Sequence, residues 1–462
     1  MEKKPVPPAA KGLPFLGNAL SLLRDPLGFA THCTRTDGDV VRIRFGPVVY
    51  YLLSHPNDIE YVLRSNHRNF IKDRGTRFLS STLGQGLVTS EGEFWRRQRR
   101  LAQPAFQLDQ VQKYGSVMVD CTQRLLDEWQ PGTTRDVHAD MMRLTMEIVA
   151  RALFSSSVAG KAGLVARALE EIMKYWAGPA GLFAWWPRLP TPGNYRYRRA
   201  LRQIDAIILE TIARRRAEPA WQDDLLTRFL NARDEEGVPM SDRQLRDELV
   251  TLFLAGHETT AVALSFCFYL LARHPETDAR LTTELNEVLG GRLPTVADLP
   301  RLRFAGWVVQ EAMRLYPPVP GIGREALADC TIGGYTVPRG AQLTMFQWIV
   351  HRDPRWYDDP EAFRPERWDD DLARKLPRCA YFPFGDGPRV CLGNHFALTE
   401  AVLVLATITT RFRLEVAPGH SLTLFPSITL RPKGGIPMVV RERAGAKPEM
   451  GTRTAGEGSI MV

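Results

Sequence analysis

A glycine-rich run, Phe384-Gly385-Asp386-Gly387-Pro388-Arg389-Val390-Cys391-Leu392-Gly393, carries one cysteine into an apolar helical pattern that begins at Asn394. Glycine opens turn conformations closed to other residues and lets the backbone approach a flat ligand. A cysteine at the start of a helix meets unpaired N–H groups and the positive end of the helix dipole, a setting expected to favour thiolate over thiol. The chemistry within reach is metal ligation by Cys391; the alternative is a buried structural cysteine that closes a turn. A second run, Ala255-Gly256-His257-Glu258-Thr259-Thr260, sets an acid and an alcohol beside small residues inside an otherwise apolar segment. Leu252, Ala255, Thr259 and Ala263 share a helical face, and its small members leave room beside a flat ligand. A Thr hydroxyl bonded to the carbonyl one turn earlier would open the helix there. His257 is expected to be a bystander rather than a metal ligand.

Charged groups recur at helical spacing elsewhere. Trp95 and Arg99 are four apart and share a face, whereas Arg97 points nearly the opposite way. Arg96, Arg97 and Arg100 form either a solvated face or a docking surface. Glu311 and Arg314, three apart, lie on one face of a helix that ends at Pro317-Pro318.

The residues Phe384, Gly387, Arg389, Cys391 and Gly393 fill the pattern Phe-x-x-Gly-x-Arg-x-Cys-x-Gly, which resembles the haem-binding signature of the cytochrome P450 family. The resemblance implies that Cys391 is the axial thiolate of a b-type haem, that Phe384 shields the sulfur and that Arg389 faces a propionate, with Gly385 and Gly393 in the same cofactor loop. Thiolate ligation favours O–O cleavage. Ala255 to Thr260 matches the family's oxygen-binding motif. That match implies that Thr259 hydrogen-bonds dioxygen, that Glu258 helps relay protons, and that Ala255 and Gly256 lie against the haem. By the same resemblance Trp95, Arg99 and Arg324 contact the propionates, and Glu311, Arg314 and Arg367 form a buried network. Trp368 stands where the family usually has Phe. The pocket candidates are Phe78, Leu83, Val88, Leu252, Val319, Ile322 and Phe425, and the aromatic loop 177–193, with Phe183, Trp185 and Trp186, is either a lid over the substrate channel or packed on the core.

Around these motifs the chain reads as mainly α with a small β region, an α+β architecture. The resemblance implies the cytochrome P450 fold, with haem between the long dioxygen-site helix and the cysteine-loop helix. Residues 5–17, rich in Pro and Gly, form an extended arm. Alternation predicts strands over 41–45 and 48–53, followed by a helix over 56–64. Helical spacing runs through 111–154 and 161–176. A capping-box pattern at Ser241 and Gln244 starts a helix reaching Arg273, roughly 50 Å long at 1.5 Å per residue. Short strands follow after Arg411, and residues 443–462 read as a disordered tail.

Composition narrows the function classes. With 462 residues, 44% hydrophobic and 24% charged, the chain has an ordinary globular make-up and can bury a large core; residues 1–442 are taken as one haem-binding domain. Six scattered cysteines suit a reducing compartment better than a disulfide framework. No N-terminal apolar run approaches the ~20 residues that span a bilayer, so a cytoplasmic location without a transmembrane anchor is expected. The net charge of +8 comes with no nucleic-acid motif, and an acidic protein partner is the better use of it. No flavin or iron–sulfur segment follows, so electrons are expected from NAD(P)H through a separate ferredoxin or flavodoxin and its reductase. The resemblance implies insertion of one oxygen atom of dioxygen into an apolar substrate, with terpenoids, by likeness to bacterial members of the family, preferred over fatty acids, polyketides and steroids. Two alternatives stand beside it: a haem-thiolate peroxygenase or isomerase that needs no external electrons, and a haem-based sensor.

Overall fold

The long helix Asp242–Arg273 forms where the capping pattern places it. The Ser241 hydroxyl accepts from the Gln244 N–H, and the Gln244 side chain accepts from the Ser241 N–H in return. Its 32 residues give a length of about 48 Å. Among the described residues it is the one helix long and apolar enough to cross a membrane, and it is largely buried within the molecule, as expected of a core helix. The computed structural model describes residues 5–154, 162–176, 186–217 and 224–443. Phe183, Trp185 and the tail beyond residue 443 lie outside them.

The long helix packs against Val137–Phe154, Arg303–Leu315 and the cysteine-loop helix Asn394–Arg411. One apolar cluster draws on all four, from Leu83 to Val440. Gly256 fits this packing: a Cβ there would lie 3.0 Å from Val149 Cγ2, so the glycine serves a close helix–helix approach. The helix also remains continuous through Thr259, although the expected back-bond from Thr259 Oγ1 to Ala255 O is made at 2.7 Å. The hydroxyl bond is accommodated without opening the turn.

Beside the helices sits a five-stranded sheet in the order Val40–Phe45, Val48–Leu53, Gln342–Met345, Ile322–Ala326, Phe70–Lys72. The pair joining Val48–Leu53 to Gln342–Met345 is parallel and the others are antiparallel. Its last pairing sets Lys72 opposite Arg324. The predicted helix over 56–64 is Pro56–Glu60 followed by a π-helical turn, Tyr61–Ser65.

The helical reading of 111–154 is corrected to two long helices, Gly115–Asp127 and Val137–Phe154, after a short first one. Pro131-Gly132 breaks the run, and Thr134–Asp136 becomes a strand because Pro437–Glu442 pairs with it. Trp186 packs half-buried against the main core, and its carbonyl accepts from Asn194 Nδ2 at 2.7 Å.

Candidate active site

The cysteine loop is built by two constraints. Gly387 has φ +70, and a Cβ there would lie 2.0 Å from the Leu63 carbonyl oxygen, so the loop rests directly on the π-helical turn. The Cys391 N–H donates to Phe384 O at 2.9 Å, folding the loop back upon itself before Gly393 caps the Asn394–Arg411 helix.

A cavity of about 340 Å³ opens above this loop, within the range of small-molecule sites. Phe384, Gly385, Arg389, Cys391 and Gly393 line it, as do Trp95, Arg99, Ala255, Gly256, Thr259 and Arg324. Every expected cofactor contact therefore reaches one space. The exposed surface of Cys391 and Ala255 belongs to this interior cavity. Of the expected pocket residues, Val88, Leu252, Val319 and Ile322 line it.

Three others do not. Phe78 packs edge-on against Trp176 at 4.7 Å, Leu83 is buried in the core, and Phe425 is exposed on the strand Leu424–Pro426. An apolar side chain serves a core as readily as a pocket wall, and here the core claims the first two. Glu258 is also absent from the lining. Its buried carboxylate accepts from Thr429 Oγ1 and from Arg431 Nε, facing the hairpin of Leu424–Pro426 and Leu430–Pro432. Neighbours on a helix diverge by about 100°, so Thr259 faces the cavity while Glu258 does not. His257 is buried near Phe253 O and Thr145 and does not line the cavity. Cys379 hydrogen-bonds Asp386 and is likewise outside it.

The thiolate expectation for Cys391 needs correction. Burial pushes the thiol up, and the Gly393 N–H and Arg99, which pull the other way, only partly offset it.

Positive charge is concentrated along one edge. Arg99 donates to Val390 O at 2.7 Å. Arg389 donates to Ser90 O at 2.8 Å, pairs with Glu91 and lies 4.1 Å over the Trp95 ring. Among the described residues the Arg324 guanidinium bonds only its neighbour Gly323 O, at 2.7 Å; burial first and Arg389 second pull it down to about 10. Sequence reasoning missed Lys72. This lysine lines the cavity, its ammonium has no hydrogen-bond partner among the described residues, and burial, then Arg324 and Arg389, depress it well below the ordinary lysine range. Only its place in a strand paired with the Arg324 strand could have signalled it. Four basic side chains, Lys72, Arg99, Arg324 and Arg389, share this edge with two carboxylates, Glu91 and Asp73, and a dianion would neutralise the excess and favour the charged form of Lys72. The two carboxylates of a haem would supply that charge and Cys391 could serve as a metal ligand, so the residues present fit the group. No group of three or more His, Cys, Asp or Glu suited to a metal ion occurs among the described residues.

The arginines proposed for docking are engaged within the chain. Arg97 donates to Asp234 at 2.6 Å and to the carbonyls of Val238 and Pro239, Arg100 pairs with Glu235, and Arg96 with Glu93.

Outside the cavity lining, Glu311 and Arg314 are fully buried. Glu311 accepts from Arg314 Nε at 2.9 Å and Nη2 at 2.8 Å, Arg367 Nε at 2.8 Å, and the Arg364 N–H at 3.0 Å. Trp368 adds a bond that Phe could not make, Nε1 to Glu311 Oε2 at 2.9 Å.

A family model described as Cytochrome P450 matches residues 7–437. The chain is 39% identical to cyclooctat-9-en-7-ol 5-monooxygenase of Streptomyces melanosporofaciens, over 94% of this chain and 95% of that one. It is 36% identical to cyclooctatin synthase of the same organism, covering 91% and 93%. Pentalenene oxygenase of Streptomyces avermitilis is also 36% identical, covering 89% and 91%.

Proposed function

The chain belongs to the cytochrome P450 family, and from that premise we propose that Cys391 ligates the iron of a haem b and that the substrate is a cyclic terpenoid. The protein is an oxidoreductase, a haem-thiolate monooxygenase that places one atom of dioxygen in an apolar substrate using electrons from redox partners. When bound, haem supplies the dioxygen activation, and thiolate ligation favours the O–O cleavage within it.

The chain's own residues do the rest. Cys391 loses its proton on binding a metal cation, and the Gly393 N–H and Arg99 stabilise the sulfur's charge. Lys72, Arg99, Arg324 and Arg389 hold the two carboxylates, and Trp95 fixes Arg389 from its ring face. Thr259 presents its hydroxyl to the cavity and, at rest, keeps the proton in its bond to Ala255 O. Proton delivery through Glu258 requires that its contacts to Arg431 and Thr429 open. Leu252, Val319 and Ile322 keep water from the reacting carbon and favour an apolar, carbon-rich substrate.

The observation that carries this reading is the meeting of Cys391, the Ala255–Thr259 face and four basic side chains on one cavity. The similarity to oxygenases named for cyclooctat-9-en-7-ol and pentalenene supports the substrate class. The electron source is proposed to be NAD(P)H through a ferredoxin or flavodoxin and its reductase. A spin-state screen of cyclic diterpenes and sesquiterpenes against fatty acids and steroids tests it, followed by turnover with that redox system. Hydroxylated or epoxidised terpenoid formed only with the electron system supports the proposal. Equal turnover on peroxide alone, or binding confined to fatty acids or steroids, overturns it.

A further inference from the structure

The wall of the cavity nearest the start of the long helix is a short loop, residues 84–88, that contributes Leu87 and Val88 to the lining. Its backbone is anchored on two neighbouring acids of the long helix. The Gln85 N–H donates to Asp247 Oδ2 at 2.8 Å, and the Leu87 N–H donates to Glu248 Oε2 at 3.0 Å. Asp247 is 4% exposed and Glu248 is 0% exposed. Gln98 reaches the other Glu248 oxygen at 3.4 Å, and Arg246 holds Asp247 Oδ1 at 2.9 Å and Thr82 O at 3.0 Å.

The glycines between these anchors show how closely the loop lies on the helix. A Cβ on Gly84, which has φ +57, would be 2.1 Å from Asp247 Oδ2, and one on Gly86 would be 2.1 Å from Thr251 Oγ1 and 2.8 Å from Asp247 O. Thr89 Oγ1 closes the loop on Gly84 O at 2.8 Å. Its far end, Ser90 O and Glu91, is held by Arg389 of the cysteine loop. A contiguous run of eight residues, 84–91, thus ties the long helix to the cysteine loop along one side of the cavity.

Burying two carboxyl groups is costly unless they are hydrogen-bonded. Neither acid lines the cavity. The bonds they make are directed at loop N–H groups, with Gln98 and Arg246 in support. We propose that Asp247 and Glu248 are positioning residues for substrate selection: they hold the 84–88 loop against the long helix so that Leu87 and Val88 form a fixed wall that limits the size of ligand admitted. The proposal rests on the reading of this cavity as the substrate site.

The test uses the haem-loaded enzyme and a graded series of N-alkyl and N-aryl imidazoles, whose binding shift does not depend on the natural substrate. Glu248→Leu removes the acceptor at similar volume, and Glu248→Gln keeps an oxygen for the Leu87 N–H. A buried N–H left without an acceptor costs about 1–3 kcal/mol and frees the loop, so Glu248→Leu should raise the size limit, tightening the Kd of the larger imidazoles about tenfold, while Glu248→Gln stays close to wild type. Should Glu248→Leu fail to keep a thiolate-type carbon monoxide spectrum, Gly86→Ala carries the same test, because its methyl must lift the loop from Thr251. An unchanged size limit in a variant with a normal spectrum overturns the proposal, as does a Glu248→Gln variant as altered as Glu248→Leu. If the imidazole series behaves as expected while no terpenoid shifts the wild type, the wall stands and the terpenoid assignment falls.

Discussion

Glu248→Gln should flatten the pH dependence of stability, by an amount the structure sets. Burial pushes the Glu248 carboxyl up to about 8 from the 4.5 of a free side chain, and adjacent Asp247 pushes the same way against the Leu87 N–H and Gln98. The native protein therefore keeps this proton up to about pH 8, whereas the unfolded chain releases it near 4.5. Across that window the native state binds one proton more, so stability falls as pH rises. At 1.36 kcal/mol per unit the full span of about 3.5 units amounts to about 5 kcal/mol, complete above pH 8. Glutamine has no proton to lose. The variant should match wild type near pH 4.5 and exceed it by several kcal/mol at pH 9. Unfolding entropy near 2.1 cal/mol/K per residue converts that gap to a Tm difference of about 5 °C for a chain of this length. Thermal unfolding of the two haem-loaded proteins from pH 5 to pH 9 measures it. Parallel Tm curves would mean that Glu248 is ionised throughout, and the reasoning from burial would fail.

Other substitutions probe the remaining parts. Glu311→Ala leaves Arg314 and Arg367 buried without their carboxylate and should cost about 3–5 kcal/mol, read as a lowered Tm with poor haem loading. Trp368→Phe removes one of several bonds to the same carboxylate and should cost about 1 kcal/mol; a loss as large as that of Glu311→Ala would refute this division. Lys72→Met should release haem about tenfold faster to a haem acceptor protein, as expected for loss of a buried charge pair, and an unchanged rate removes Lys72 from the carboxylate edge. Thr259→Val should keep substrate binding but lower the product formed per NAD(P)H consumed, and unchanged coupling would deny the hydroxyl a part in proton handling.

The residues legible in the sequence are those whose partners are near in the chain or whose role follows from one helix face. Cys391 and its glycines form a local loop, and Leu252, Ala255, Thr259 and Ala263 reach the cavity by helical spacing alone. Glu258 shows the limit. Its motif fixes its position, but its direction depends on Arg431 and Thr429, which return to it from a distant hairpin. Lys72 was invisible because a three-residue strand gains its meaning only by pairing with the Arg324 strand. Phe78 and Leu83 misled because hydrophobicity does not distinguish a wall from a core. The break at Pro131-Gly132 was hidden by helical periodicity on both sides, and the strand that settles it lies near the C-terminal end of the described chain. In the sequence Trp368 shows only as an exchange for Phe, since its use as a donor appears once Glu311 is placed beside it.

The most direct test of the account is the carbon monoxide spectrum of the reduced, haem-loaded protein in two variants. Cys391→Ser should lose the thiolate-type Soret band, while replacing the other five cysteines together, Cys33, Cys121, Cys267, Cys330 and Cys379, should leave it intact. Survival of the band in Cys391→Ser would contradict the assignment of the axial ligand and, with it, the arrangement of the site built around that sulfur.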